Sequence, residues 1–198
     1  MSFPRPELKY RVRRGVALVG AGVVVLAIAG WLGPVPTVPV QGDVLGPDGR
    51  TRAEYVDFAA GQLEQLRQDS TGPRDSTEQR DPQSRFALVT FAHPLDAQQA
   101  SAALRPLQRV NAVVVGGAGP VPVPEPVAGR ERAEVFDTAL GRLTAAMGGA
   151  GTPGISSVVV YAPPAQLEQV AKHALVAAVE PGLADAVWGN FAVRPQVG

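Results

Sequence analysis

The longest pattern in this 198-residue chain is an uncharged one: from Gly15 to Gly42 no residue carries a charge. Its core, GVALVGAGVVVLAIAGWLG at 15–33, is dominated by Val, Leu, Ile and Ala. At 1.5 Å per residue a helix over these residues reaches roughly 28 Å, the thickness of a bilayer core. Trp31 stands near its far end, where an indole favours the interface, and Pro34, Pro36 and Pro39 stop the helix. The pattern predicts a single transmembrane helix over 15–33. A cleaved signal peptide is the rival, because Ala27-Ile28-Ala29 has the small-x-small form of a processing site, with cleavage after Ala29.

Beyond the membrane segment the pattern repeats. Residues 49–63, GRTRAEYVDFAAGQL, match 129–143, GRERAEVFDTALGRL, at nine of fifteen positions. A weaker match at a spacing of 70 sets VTFAHPLDAQQ, from Val89, against VVYAPPAQLEQ, from Val159. Apolar spacing of i, i+3 and i+4 predicts a helix in each copy. The predicted stripes are Ala53, Val56, Ala60, Leu63 and Leu66 in one, and Ala133, Phe136, Leu140, Leu143 and Met147 in the other. Glu54 and Glu134 fall in the first turn, where a carboxylate suits the helix dipole. Gly61 and Gly141, each costing about 1 kcal/mol inside a helix relative to Ala, suggest close helix contact.

Short apolar runs rich in β-branched residues predict strands at 86–92, 111–117 and 157–162. Pro94 and Pro164 then suit the first turn of following helices over 95–107 and 165–179. The last strand of the second copy is expected at 183–188, or near FAV at 191–193. The predicted fold is α/β, with a transmembrane helix followed by an extracytoplasmic domain of two tandem α-β-α-β units. Right-handed parallel crossovers and a ferredoxin-like split arrangement both fit this order.

The resulting organisation is a basic tail at 1–14, the helix at 15–33, a proline-rich stalk at 34–48 and a first unit at 49–117. A polar mobile loop occupies 69–84, a proline-rich spacer 118–128, and a second unit 129–198. The two proline-rich segments are also candidate ligands for domains that read such peptides.

Charge sharpens this picture. The chain carries 18 Lys+Arg and 18 Asp+Glu. Five basic residues and one acidic residue precede the apolar run, leaving thirteen basic and seventeen acidic residues after it. A basic flank stays on the cytoplasmic side, so the domain is expected outside. The overall balance argues against a nucleic-acid partner. Sixteen of the basic residues are Arg, and Ala, Gly, Val and Pro abound, an actinobacterial-like bias expected of a GC-rich genome. Without cysteine there is no disulfide, thiolate metal site or cysteine nucleophile, and no lipid-modified cysteine after the apolar run.

Little in the sequence looks catalytic. VVVGGAGP at 113–120 resembles a glycine-rich phosphate loop only superficially, since PVPVPEP follows and cannot form the required helix. No histidine pair has metal-ligand spacing and no acidic run matches a calcium loop. His93 is carried as a candidate ligand-site residue. The repeated charges Arg52, Glu54, Asp57, Arg132, Glu134 and Asp137 suit capping and surface ion pairs, or an interface between the units or with a partner. No catalytic residue, metal or cofactor is assigned.

The expected function is a non-enzymatic accessory or scaffold protein, anchored in the cell membrane and binding another membrane or envelope protein. Self-association is left open. A module binding a small envelope ligand between the units is the alternative, favoured by a pocket near His93 and Pro163. A cell-wall hydrolase comes third, favoured by close carboxylates or a Ser beside His93.

Overall fold

The computed structural model describes residues 44–71, 84–146, 148 and 154–195. The expected tail, membrane helix, most of the stalk and most of the polar loop lie outside the described residues. Among the described residues no helix is long and apolar enough to cross a membrane.

The chain runs β1 (Val44–Leu45), α1 (Arg52–Thr71), β2 (Arg85–Leu95), α2 (Ala97–Ala103), β3 (Arg109–Val115) and β4 (Val121–Pro122). It continues through α3 (Arg132–Ala146), β5 (Ile155–Ala162), α4 (Pro164–Ala171), β6 (Val176–Pro181) and β7 (Ala192–Val193). Five strands form one sheet in the order β4-β3-β5-β2-β6, with every pairing antiparallel. Strands β2 and β3, joined through α2, are therefore not neighbours, because β5 lies between them. This is the split β-α-β arrangement rather than a parallel crossover. The two α-β-α-β stretches do not form separate lobes: their strands interleave in one sheet.

Among the described residues, three of the four helix starts have a visible local cause. Thr51 and Glu54 cap α1 reciprocally, the Glu54 carboxylate accepting from the Thr51 hydroxyl at 2.7 Å and the Thr51 N–H at 2.8 Å, which together lower its pKa. Asp96 and Gln99 form the same kind of box at α2. Pro164 opens α4, where its missing N–H costs nothing. Pro94 does not open a helix: it is an exposed residue within β2, and α2 begins three residues later.

Alternation along the paired strands divides the core in two. Ala87, Val89, Val113, Val158, Val160 and Val179 face the helices, joining Leu66, Phe136, Leu140, Leu167 and Val170. Phe86, Leu88, Ala112 and Val159 face the other way, under Leu45, Phe191 and Val193. There the two ends of the domain are zipped together by parallel pairing of β1 with β7, an Arg194 N–H to Leu45 carbonyl bond of 2.8 Å, and an Arg194–Asp48 ion pair. The last residues of the expected stalk are thus part of the domain.

Five further expectations are corrected. The buried stripe of α1 is Tyr55, Ala59 and Leu66, while Ala53 and Ala60 are exposed. Leu66 is buried as expected and Val56 and Leu63 are partly buried, while the Tyr55 side chain is drawn inward by a buried polar partner on the sheet. In α3 the expected Ala133, Phe136 and Leu140 are buried; Met147 lies outside the described residues. Gly61 and Gly141 have open space where a Cβ would stand, so no close helix contact explains them.

The helix expected over 165–179 ends at Ala171, and its tail becomes β6, pairing with β2 from Ala87–Pro181 to Phe91–Val176. Ala and Leu favour helices locally, but in this stretch strand pairing decides. Residues 183–188 form turns, not the last strand. Finally, the spacing of 70 matches residues on opposite faces, since Val89 lies in the helix-side core and Val159 in the other. A slip of one residue in a strand moves every side chain to the other face.

Candidate functional site

The sequence-predicted charges are split between structural and exposed roles. Arg52 donates to the carbonyls of Phe91 (3.3 Å) and Ala92. Arg132 donates to those of Leu104 and Leu107, both at 2.7 Å, and Gln108 at 3.2 Å. Burial pushes its pKa down. The two repeated arginines thus share one job: each ties a helix start to carbonyls elsewhere in the chain. Glu54 caps α1, Glu134 pairs loosely with Arg130 at 3.9 Å, and Asp57 and Asp137 are exposed. The structure does not gather these six into one site. His93 is exposed on β2, its Nδ1 3.2 Å from the Pro94 carbonyl. The glycines of 113–120 belong to the turn joining β3 to β4, with Gly116 at φ 56°.

Three other places stand out, none of them singled out by sequence. The first is a buried polar cluster where the start of α1 meets β6, β2 and β5. Glu180, on β6, is 4% exposed. Its Oε2 accepts from the Gly46 N–H at 2.7 Å and the Tyr55 hydroxyl at 3.0 Å. The Tyr55 hydroxyl lies 3.4 Å from Thr90 Oγ1, which accepts from Ser157 Oγ at 3.4 Å. Burial raises the Glu180 pKa, although both donors oppose this. Burial and the Glu180 charge raise that of Tyr55. The cluster ties β1 and α1 to the sheet. Its only sequence signal was a lone carboxylate closing the apolar run ALVAAVEP.

The second place is an aromatic patch centred on Phe86. Its ring lies 4.9 Å from Tyr161, 5.8 Å from Trp188 and 5.3 Å from Phe191, centroid to centroid. The Gly182 N–H donates to the Phe86 carbonyl at 2.8 Å, which brings the 182–191 segment over this strand. Of the five large apolar side chains that are exposed among the described residues, Tyr161 and Trp188 pack on Phe86, and Leu183 and Val187 lie in the same 182–191 segment as Trp188.

The third place is a groove of about 490 Å³ between the proline-rich segment and α3. Val121, Val123 and Val127 form one wall, and Val135, Ala139 and Leu143 the other. Val127, 67% exposed, is the fifth of the exposed apolar side chains. The groove is not lined by His93 or Pro163, where a ligand pocket was expected. The proline-rich segment is accordingly no free spacer: it supplies the edge strand β4 and a wall of the groove. Among the described residues no cluster of His, Asp or Glu suited to a metal ion is present. No family model, no curated protein and no solved structure matches this chain.

Proposed function

We propose that this chain is an accessory or scaffold protein of a cell envelope that binds another envelope or membrane protein without chemistry of its own. In this reading residues 15–33 anchor it, 1–14 remain in the cytoplasm and the domain lies outside. The observation that supports partner binding is the patch around Phe86. Large apolar and aromatic side chains left exposed beside one another in a segment are costly in water and mark interaction sites. Trp and Tyr are the residue types that most often carry binding energy. The buried Glu180 fits the same reading, because its polar contacts serve to fasten β1 and α1 rather than to face a cleft.

The test is co-purification from membranes of the full chain and of a Trp188→Ala, Val187→Asp variant. A protein recovered stoichiometrically with the native chain and lost with the variant, at unchanged melting temperature, is the expected result. Recovery of the native chain alone at high yield would overturn the reading. Protease added to intact cells should cleave within 69–84; protection of that segment would overturn the orientation.

A further inference from the structure

The proline positions of β4 decide what kind of partner the groove can take. Val121 pairs with Val113, and the Val123 N–H donates to the Asn111 carbonyl at 3.0 Å. The N–H groups of the odd-numbered residues therefore point inward, to β3. The outward positions are Pro122 and Pro124, which have no N–H. The outer edge of the sheet offers acceptors but no donors here. A peptide cannot add as a further strand, because half of the required main-chain bonds are missing. An extended peptide in the groove would leave its own carbonyls without partners. A helix satisfies its backbone internally and brings only side chains to the contact.

The internal match supplies a control for whether this groove is waiting for something. At a spacing of 80, Tyr55 and Ala59 of α1 correspond to Val135 and Ala139 of α3. In α1 both are fully buried, against Ala178 of β6. In α3 the corresponding Val135 and Ala139 line the groove. Ala139 is buried like Ala59, but Val135 is only half-buried where Tyr55 is fully covered, so at this one position the second helix lies open to the groove, with β4 and the residues after it along its far side.

Charge narrows the partner further. Arg130 and Arg142 border the groove with Glu125. The Glu125 carboxylate accepts the Val110 N–H at 3.1 Å, and Arg130 is only loosely held by Glu134. Arg142 is exposed and has no ion pair among the described residues.

We infer that the groove between residues 121–127 and α3 is a docking site for an amphipathic helix of a partner protein, one that sets acidic residues beside its apolar stripe. The inference rests on the reading of this domain as a binding protein, but not on the aromatic patch.

The experiment uses the full chain in nanodiscs of zwitterionic lipid. The probe is a synthetic helical peptide with Leu at i, i+3, i+4 and i+7 and Glu on both flanks. Amide NMR signals of 121–127 and 135–143 should shift on titration. Replacing the flanking Glu by Lys, or making Arg142→Glu, should weaken binding at least about tenfold. Val135→Trp, which fills the groove, should abolish binding while leaving the melting temperature in place. Equal affinity for the Lys peptide would overturn the proposal. So would stronger binding of a peptide with alternating Leu and Pro, shifts confined to residues near Trp188, or no binding. Trp188→Ala should leave the titration unchanged, so the groove and the patch fail separately.

Discussion

α1 and α3 start alike and finish in different company. Both begin with an arginine that holds distant carbonyls and a glutamate in the first turn. Both bury the alanine seven residues on, Ala59 and Ala139. One turn in, they part. Tyr55 is buried and bonded to Glu180, whereas Val135 lines an open groove. The half with Tyr55 is sealed along β6; the half with Val135 has β4 inserted at the sheet edge. A shared scaffold thus keeps its fastening residues while a single side chain and a proline-rich insertion decide which flank is closed. Duplicated helices in one sheet need not be duplicated surfaces.

The arginines give the largest effect that would sharpen this comparison. Arg132 is half-buried and serves three carbonyls, so Arg132→Met leaves two of them short of partners and should cost about 2–3 kcal/mol. Arg52→Met, at a more exposed site, should cost about 1 kcal/mol. Urea unfolding of the purified full chain measures both. Equal losses would mean that the two clamps are equally dry, against the burial seen here.

Tyr55→Phe comes next. It removes one of two donors to a buried carboxylate and should cost about 1–2 kcal/mol. Val135→Ala, at the matching position, should cost less than 1 kcal/mol, on the order of an exposed substitution. Glu180 adds a pH signature. Its folded pKa is raised, so between the unfolded and folded values the native state holds more protons. Stability should therefore fall as pH rises through that window, and level off above it. Tyr55→Phe should widen the window upward, since the ionised form loses a donor, and Glu180→Gln should erase it. Melting temperatures across the acidic range check this; a native chain whose stability climbs with pH over that window would break the account.

How much of this was legible in the sequence follows from what each signal depends on. The helix match at a spacing of 80 survived because it rests on Arg132 and Arg52, whose long side chains do the same thing in both copies. The strand match at 70 did not, because Val, Ala and Pro recur in any buried run, and one residue of slip reverses the faces. Strand β6 was hidden in a stretch whose local composition favours helix, and with it went Glu180 and its partners. The cluster joins residues 46, 55, 90, 157 and 180, so only the tertiary fold brings it together. The prolines of 120–126 were legible as extended chain, but their pairing with β3, and hence the donor-free edge, was not.

The smallest effect bears on a repeated feature that the structure leaves without a packing reason. Gly61 and Gly141 occupy equivalent places in the two helices, both exposed, both with room for a Cβ. Neither has the positive φ that would demand glycine. Alanine should therefore stabilise each helix, by about 0.5–1 kcal/mol, through the lower backbone entropy of the unfolded chain. The two gains should add, because the helices are separate sites without a shared contact at these positions. The measurement is the shift of the urea midpoint for each single variant and for the double. A gain at Gly61 with a loss at Gly141 would be informative in its own right. It would show that the second helix, the one beside the open groove, uses its glycine in a way the first does not, and would extend the difference between the two halves from their surroundings to their backbones.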